Sequence, residues 1–256
     1  MWRWVFVPVL LLGLVAACAT NPVTGRRELA FMSEAQEIAI AQESDAQIKG
    51  EMGVYNDPLL QTYVNDIGQR MARISERPQL PWRFTVVDVP AVNAFAVPGG
   101  AIYITRGILP FLDNEAELAG VLGHEIGHVT ARHSAQQYTR QISGQVGLIA
   151  LQVFVPQARP FGQMSSQALG VLFLRYGRDD ELQADQLGAG YEATLGWDPA
   201  GASAFLSTLG RLAEAAGDRR GVPNWLSTHP DPLSRVRDIQ PTVDALTSIG
   251  GNYVTN

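Results

Sequence analysis

Apolar positions recur at helical spacing over most of the chain, and strand-like runs are confined to one central stretch. Ser33 and Gln36 form a capping-box pattern ahead of a predicted helix that runs to about Lys49. Asp57-Pro58 begins the next predicted helix, in which apolar residues recur every three or four positions. The same Asp-Pro pair, at Asp198-Pro199 and Asp231-Pro232, predicts two further helix starts.

The predicted strands lie between residues 83 and 105. Arg83–Val89 is one strand-like run, and Asn93–Val97 and Ala101–Thr105 flank a Pro98-Gly99-Gly100 turn, which predicts a hairpin. A few strands among many helices predict an α+β fold, mainly helical with a small antiparallel sheet. We predict a single domain over residues 33–256.

Two longer helices are predicted in the second half of the chain. One begins at Asp113 or Asn114 and runs to about Gln137, and the other spans Arg178 to Tyr191. Two apolar segments in this half, at residues 144–155 and 164–176, are too short to span a bilayer. Loops are predicted at residues 156–163 and 216–224.

The N-terminal segment has the pattern of an export signal. Val5–Ala17 is uncharged and mostly apolar, and its roughly 13 residues are too few for a membrane span, which needs about 20. The run from Leu14 to Cys18 resembles a bacterial lipoprotein signal, in which the cysteine is lipidated. We predict a signal peptide over residues 1–17, lipidation of Cys18 and a tether over residues 18–32; a cleaved signal with an incidental cysteine is the alternative.

Composition supports a folded domain and disfavours nucleic acid as a partner. The 256 residues are 46% hydrophobic and 17% charged, which permits a buried core. The formal net charge is −6 and no basic run stands out, so no nucleic-acid partner is expected. Cys18 is the only cysteine, so no internal disulfide is expected.

The central chemical signal is His124-Glu125-Ile126-Gly127-His128, within a predicted helix. Helical positions four apart differ by about 40° in direction, so both imidazoles face one way and can share one Zn²⁺. Glu125 then lies beside the metal and can take a proton from metal-bound water. The pattern therefore predicts a zinc hydrolase with Glu125 as general base.

His133 is a poor candidate for a third ligand. It lies nine positions after His124, about 180° round a continuous helix, and position 134, where a third histidine would fit, is Ser134. We expect His133 either to contact a ligand from outside the metal site or to lie on the helix surface.

Glu181 is the better candidate for the third ligand. Glu181 and Asp185 are four apart on a predicted helix, so Glu181 can reach the metal while Asp185 accepts a hydrogen bond from the outer nitrogen of a ligand histidine. Asp179 and Asp180 are rivals by residue type, although a negatively charged first helical turn explains them better.

These motifs resemble those of a known peptidase family. His124-Glu125-x-x-His128 followed by Glu181-x-x-Ala184-Asp185 is similar to the gluzincins of the CAAX-prenyl-protease-1, mitochondrial Oma and heat-shock HtpX types, metallopeptidase family forty-eight. Gly177 stands where the family often has Ser. Other similar stretches are Asn21–Arg26, typical of the periplasmic lipoprotein branch, Asn93–Gly100, Thr105–Gly107, Ser227–Pro230 and Arg235. From the first of these stretches to the last, the resemblance extends over nearly the whole mature chain.

The resemblance implies roles that spacing alone does not. It implies a zincin-like metalloprotease domain with one zinc ion per chain and Glu181 as third ligand. It also implies a substrate-binding edge strand that includes Asn93, Ala94 and Phe95, where backbone hydrogen bonds would hold an extended peptide. In periplasmic relatives the histidine that matches His229 is thought to occupy the open zinc position and hold the enzyme latent.

The alternatives for the remaining residues stay open. His229 is either such a latch or a turn residue before Pro230. Arg235 either pairs with an acidic group or steadies a substrate carbonyl oxygen.

We therefore predict a zinc endopeptidase that hydrolyses unfolded or misassembled envelope proteins in the bacterial periplasm. A lipid on Cys18 would anchor it, and the residues that follow, Ala19 and Thr20, favour the outer membrane because neither is acidic. The alternative is a lipid-anchored chaperone or outer-membrane assembly factor that uses the same fold to bind clients, with the assembly machinery as a partner.

Overall fold

The computed structural model describes residues 18–140, 176–216, 225–249 and 253–254. The predicted signal peptide lies outside these ranges, as do the predicted segments at 144–155 and 156–163 and nearly all of those at 164–176 and 216–224.

Helices dominate the described residues, which confirms the α+β class. A 3₁₀ turn, Leu109–Phe111, precedes α3, and residues 133–140 are also helical. The helix bounds are α1 Glu34–Met52, α2 Pro58–Ile74, α3 Glu115–Thr130, α4 Arg178–Leu195, α5 Gly201–Ala216, α6 Trp225–Thr228 and α7 Pro232–Ser248.

The helix starts follow local capping chemistry to different degrees. The Ser33 capping box is formed, and Asp57 accepts hydrogen bonds from the first amides of α2. Asp198 instead stabilises a turn, and α5 begins two residues after Pro199. Asp231 precedes Pro232 of α7 as predicted but adopts a left-handed conformation with φ 62° and makes no side-chain cap.

The sheet is mixed, which corrects the expectation of a small antiparallel sheet. Its strands are β3 Arg83–Val87, β4 Ala94–Val97 and β5 Ala101–Thr105, in the order β3-β5-β4. The predicted β4–β5 hairpin is antiparallel, but β5 pairs in parallel with β3. Gly99 and Gly100, with φ 94° and 101°, form the hairpin turn. The turn after β4 leads into β5, which pairs with β4 on one side and with β3 on the other. β4 therefore lies at the edge of the sheet.

The segment predicted as a tether begins with a second hairpin packed against the domain. β1, Cys18–Thr20, pairs with β2, Arg27–Leu29. Asn21 in the connecting turn is buried, and its side-chain amide donates to the Ala131 carbonyl oxygen at 3.3 Å. The hairpin therefore contacts the end of α3.

Helix α3 lies at the centre of the domain. Every one of its residues from Ala116 to Thr130 is buried, and it packs against α2, α4, α5 and β4. The helix predicted to reach Gln137 ends at Thr130, because Arg132 adopts a left-handed conformation with φ 61°. The buried Glu37 carboxylate accepts from Arg132 Nε at 2.6 Å and so stabilises this break.

Across the described ranges, no helix combines the length and apolarity that a membrane crossing requires.

Candidate metal centre

The histidine pair of α3 lies in the interior, with both rings directed to one point. His124, Glu125 and His128 are at most 2% exposed. The Nε2 atoms of His124 and His128 are 3.0 Å apart. Burial lowers the pKa of His128 well below its usual value, and the neighbouring His124 adds to this effect. His128 is therefore neutral, the form in which imidazole binds a metal.

Helix α4 brings Glu181 to the same point. The Glu181 carboxylate lies 3.6 Å from the Nε2 atoms of both His124 and His128. The rival acidic residues lie elsewhere: Asp179 is exposed, and Asp180 accepts a hydrogen bond from Arg140 at 3.0 Å. Asp180 Oδ1 also lies 3.9 Å from His133 Nε2, but of the three acidic residues in the first turn of α4 only Glu181 lies beside His124 and His128.

Asp185 and Arg235 lie behind the ligands. Asp185 Oδ1 is 2.8 Å from His124 Nδ1, and Arg235 of α7 donates to both Asp185 oxygens at 2.6 and 2.9 Å. Arg235 Nη1 also lies 2.7 Å from Glu181 Oε2. Burial alone would raise the pKa of Asp185, but Arg235 and His124 outweigh it and hold the pKa far below its usual value. Arg235 thus pairs with two acidic groups, one of the two roles considered for it.

His229 completes a set of four side chains that could hold a metal ion. Its Nδ1 lies 3.0 Å from Glu181 Oε1 and 3.1 Å from His124 Nε2. One ligand atom from each of His124, His128, Glu181 and His229 lies within 4.8 Å of the others, and all four residues are buried. His229 is therefore more than a turn residue before Pro230.

Glu125 lies beside this cluster and outside the ligand set. Its Oε1 accepts a long hydrogen bond of 3.4 Å from Trp225 Nε1 and lies 3.6 Å from His229 Nε2. The Glu125 carboxylate thus faces the same space as the ligand atoms of the cluster.

Two aromatic residues at the site escaped the sequence analysis. Trp225 stacks on His229 with ring centroids 4.6 Å apart, and Tyr176 stacks on His128 at 3.9 Å. The four-residue spacing of Trp225 and His229 was a usable signal, because one helical turn separates them. Tyr176 precedes α4 and carries no comparable signal.

The region predicted to bind substrate lies next to the cluster. β4 contains Ala94 and Phe95, lies at the edge of the sheet and packs against α3. Asn93 precedes β4, and its carbonyl oxygen accepts from the Thr105 amide at 3.0 Å. The Trp225 amide donates to the Val92 carbonyl oxygen at 3.1 Å, so the segment with His229 also contacts this edge.

An HExxH helix, a glutamate from the next long helix and a carboxylate behind the first histidine define a metallopeptidase domain of the gluzincin type. Residues 58–243 match Peptidase family M48, and the chain belongs to this family. The family resemblance seen in the sequence is thereby confirmed.

Similar proteins carry names that agree with this class. The chain is 33% identical to the "Beta-barrel assembly-enhancing protease" of Yersinia pestis, over 88% of this chain and 48% of that protein. It is 32% identical to the protein of the same name from Escherichia coli K12, over 86% and 46%. It is also 32% identical to the "Mitochondrial metalloendopeptidase OMA1" of Schizosaccharomyces pombe, over 86% and 64%. The chain thus spans about half the length of the bacterial relatives.

Proposed function

We propose that the chain is a zinc-dependent endopeptidase, in which Glu125 is the general base and His124, His128 and Glu181 are the metal ligands. The observation that carries the proposal is the convergence of buried ligand atoms beside a buried carboxylate that is not itself a ligand. A site that only stabilised the fold would not need Glu125.

The donor set fits zinc. Ligands about 2.0–2.1 Å from a tetrahedral zinc ion lie about 3.3–3.4 Å from one another. Here the separations of the four ligand atoms include 3.0, 3.1 and 3.6 Å. Imidazole nitrogens with one carboxylate suit zinc better than calcium or magnesium, which take oxygen ligands. We therefore assign one zinc ion per chain.

The protein's own groups would carry the proton transfers. When bound, zinc supplies an acidic water and polarises the substrate carbonyl group. Glu125 takes the proton from the attacking water and passes it to the leaving amine. Asp185 accepts from His124 Nδ1–H and keeps Nε2 free for the metal. Arg235 holds Asp185 and Glu181 charged in the interior.

The substrates we propose are unfolded or misassembled envelope proteins. β4, with Ala94 and Phe95 and preceded by Asn93, is the edge strand of the described three-stranded sheet, although its side chains are buried. An edge strand can hold an extended peptide through backbone hydrogen bonds. The bacterial relatives are named for β-barrel assembly, which supports substrates in the cell envelope. Lipidation of Cys18 would place the enzyme at the periplasmic face of the outer membrane.

We propose further that His229 holds the enzyme latent. A catalytic zinc site keeps one position open for water or substrate, and His229, whose ligand atom lies within 4.8 Å of those of the other three residues, would fill that position if it bound the metal. Activity would then require the segment with Trp225 and His229 to move away.

A second candidate function is supported by the same relatives, whose names describe assembly as well as proteolysis. A lipid-anchored assembly factor would use the β4 edge to bind clients without cleaving them. The presence of Glu125 favours the peptidase.

Casein hydrolysis by the purified protein tests the proposal. We expect cleavage by the zinc-loaded wild type, and none by Glu125→Gln or by a chelated sample. Metal analysis should find one zinc in Glu125→Gln as in the wild type, because Glu125 is not a ligand. Loss of zinc from Glu125→Gln would refute its assignment. If the zinc-loaded wild type and the zinc-loaded His229→Ala variant both bind casein without cleaving it, the result would favour the assembly factor.

A further inference from the structure

His133 is a buried histidine outside the set of metal ligands. It is fully buried, and a buried imidazole requires hydrogen-bond partners. His133 Nδ1 lies 2.9 Å from His128 Nδ1, and His133 Nε2 lies 2.9 Å from Gln183 Oε1. Its ring therefore links His128 of α3 to Gln183 of α4.

The backbone break after α3 brings His133 to this position. In a continuous helix, a residue five positions after His128 would point about 140° away from it. The left-handed conformation of Arg132 ends α3, and the helix that resumes at residue 133 turns His133 back towards His128. A non-glycine residue rarely adopts this conformation. Two hydrogen bonds of 2.6 Å, from Arg132 to the Glu37 carboxylate and to the Met32 carbonyl oxygen, hold it there.

The hydrogen-bond partners determine where the protons lie. Gln183 Oε1 can only accept, so His133 Nε2 carries hydrogen. Neutral His133 then has its lone pair on Nδ1, which accepts from His128 Nδ1–H. His128 is thereby left with its lone pair on Nε2, the atom that faces His124 and Glu181.

We propose that His133, oriented by Gln183, is a positioning residue that holds His128 as the tautomer whose Nε2 binds the metal. The proposal rests on the metal site of the proposed function and adds how its second histidine is oriented. Asp185 takes the corresponding place behind His124. One ligand histidine is therefore supported by a carboxylate and the other by a neutral imidazole and amide.

Three substitutions at position 133 separate hydrogen bonding from packing. His133→Leu keeps much of the volume but removes both polar atoms. His133→Asn keeps an acceptor near the position of Nδ1, which faces His128. His133→Gln keeps a donor near the position of Nε2, which faces Gln183, and loses the acceptor for His128.

The measurement is the zinc dissociation constant of the purified protein, by competition with a chromophoric chelator and without substrate. We expect about 10–100-fold weaker binding for His133→Leu and His133→Gln, and substantial recovery for His133→Asn. In metal-free wild type, ¹⁵N NMR should show the proton of His128 on Nδ1, and a mixture of tautomers in His133→Leu.

Two results would overturn the proposal: wild-type zinc affinity in folded His133→Leu, or equal affinities for His133→Asn and His133→Gln. If His133→Leu does not fold, the zinc affinities of His133→Asn and His133→Gln decide whether the proposal holds. Failure of the proposed function would give a different result: the protein would cleave no casein, while its zinc affinity could still depend on His133. Wild type that binds no zinc would refute both.

Discussion

Most buried carboxylates near the metal centre have a positive partner, and Glu192 of α4 does not. Asp185 and Glu181 both contact Arg235, whereas Glu192 is fully buried and, among the described residues, has no ion pair; its polar neighbour is the Ala202 backbone amide. Burial raises the pKa of Glu192 well above its usual value, and the charge of Asp198 adds to this. Glu192 is therefore protonated in the folded protein at pH values where it would ionise in the unfolded chain.

This shift predicts a pH-dependent cost to stability. Because the folded state keeps a proton that the unfolded state releases, stability should fall as pH rises from about 4.5 towards the raised folded pKa. Glu192→Gln removes the ionisable group with little change of shape. We expect it to raise Tm by at least about 2 °C at pH 7.5, and by less at pH 5, in thermal unfolding followed by circular dichroism.

The matched control is Glu214→Gln on α5, because Glu214 is exposed. It should leave Tm within about 1 °C of wild type at both pH values. A Glu192→Gln protein that gains nothing at pH 7.5, or gains more at pH 5, would contradict a buried neutral carboxyl group.

At the scale of elements, the metal centre depends on how closely α3 approaches α4. Gly123 and Gly127 of α3 face Gly188 and Ala184 of α4. A Cβ at Gly127 would lie 2.8 Å from the Ala184 carbonyl oxygen, so no larger residue fits without movement. Since α4 carries Glu181, this spacing sets the distance from Glu181 to the histidines.

Gly127→Ala should therefore damage both stability and metal binding. Inserting a methyl group between the two backbones is expected to cost about 1–3 kcal/mol of unfolding free energy. It should also weaken zinc binding by moving Glu181 away. Urea denaturation and chelator competition measure the two effects. Gly190→Ala on α4 is the control, because its Cβ would meet nothing within 4 Å, and it should be neutral or slightly stabilising. Equal stabilities of the two variants would refute the close-packing argument.

The elements also show what local sequence patterns can predict. Capping residues and apolar spacing predicted the starts of α1 and α2 and the β4–β5 hairpin, because those signals act over a few residues. The end of α3 was missed, since the turn at Arg132 depends on Glu37, which is 95 positions away. The parallel pairing of β3 with β5 was missed for a similar reason: strand order is set by packing of the whole sheet.

At the scale of the whole molecule, the metal centre unites three distant parts of the chain. His124 and His128 come from α3, Glu181 from α4, and His229 from the turn before α7. Two of the three segments carry a family motif whose residue types and spacing suit metal binding. The sequence therefore predicted that these residues belong to one site. The sequence analysis missed Trp225 and Tyr176, which pack against those histidines; Trp225 had a local signal in its position one helical turn before His229, and Tyr176 had none.

The placement of His229 predicts a gain of activity from its removal. If His229 fills the metal's open position in most molecules, the competent state is a minor one, typically 10% or less. His229→Ala would make every molecule competent, so casein cleavage should rise by about tenfold or more. His124, His128 and Glu181 remain, so each chain should still bind one zinc ion. The double variant Glu125→Gln/His229→Ala should be inactive, which would assign the added cleavage to Glu125. Unchanged or slower cleavage by zinc-loaded His229→Ala would show that His229 does not restrain the enzyme and would favour a role in binding substrate.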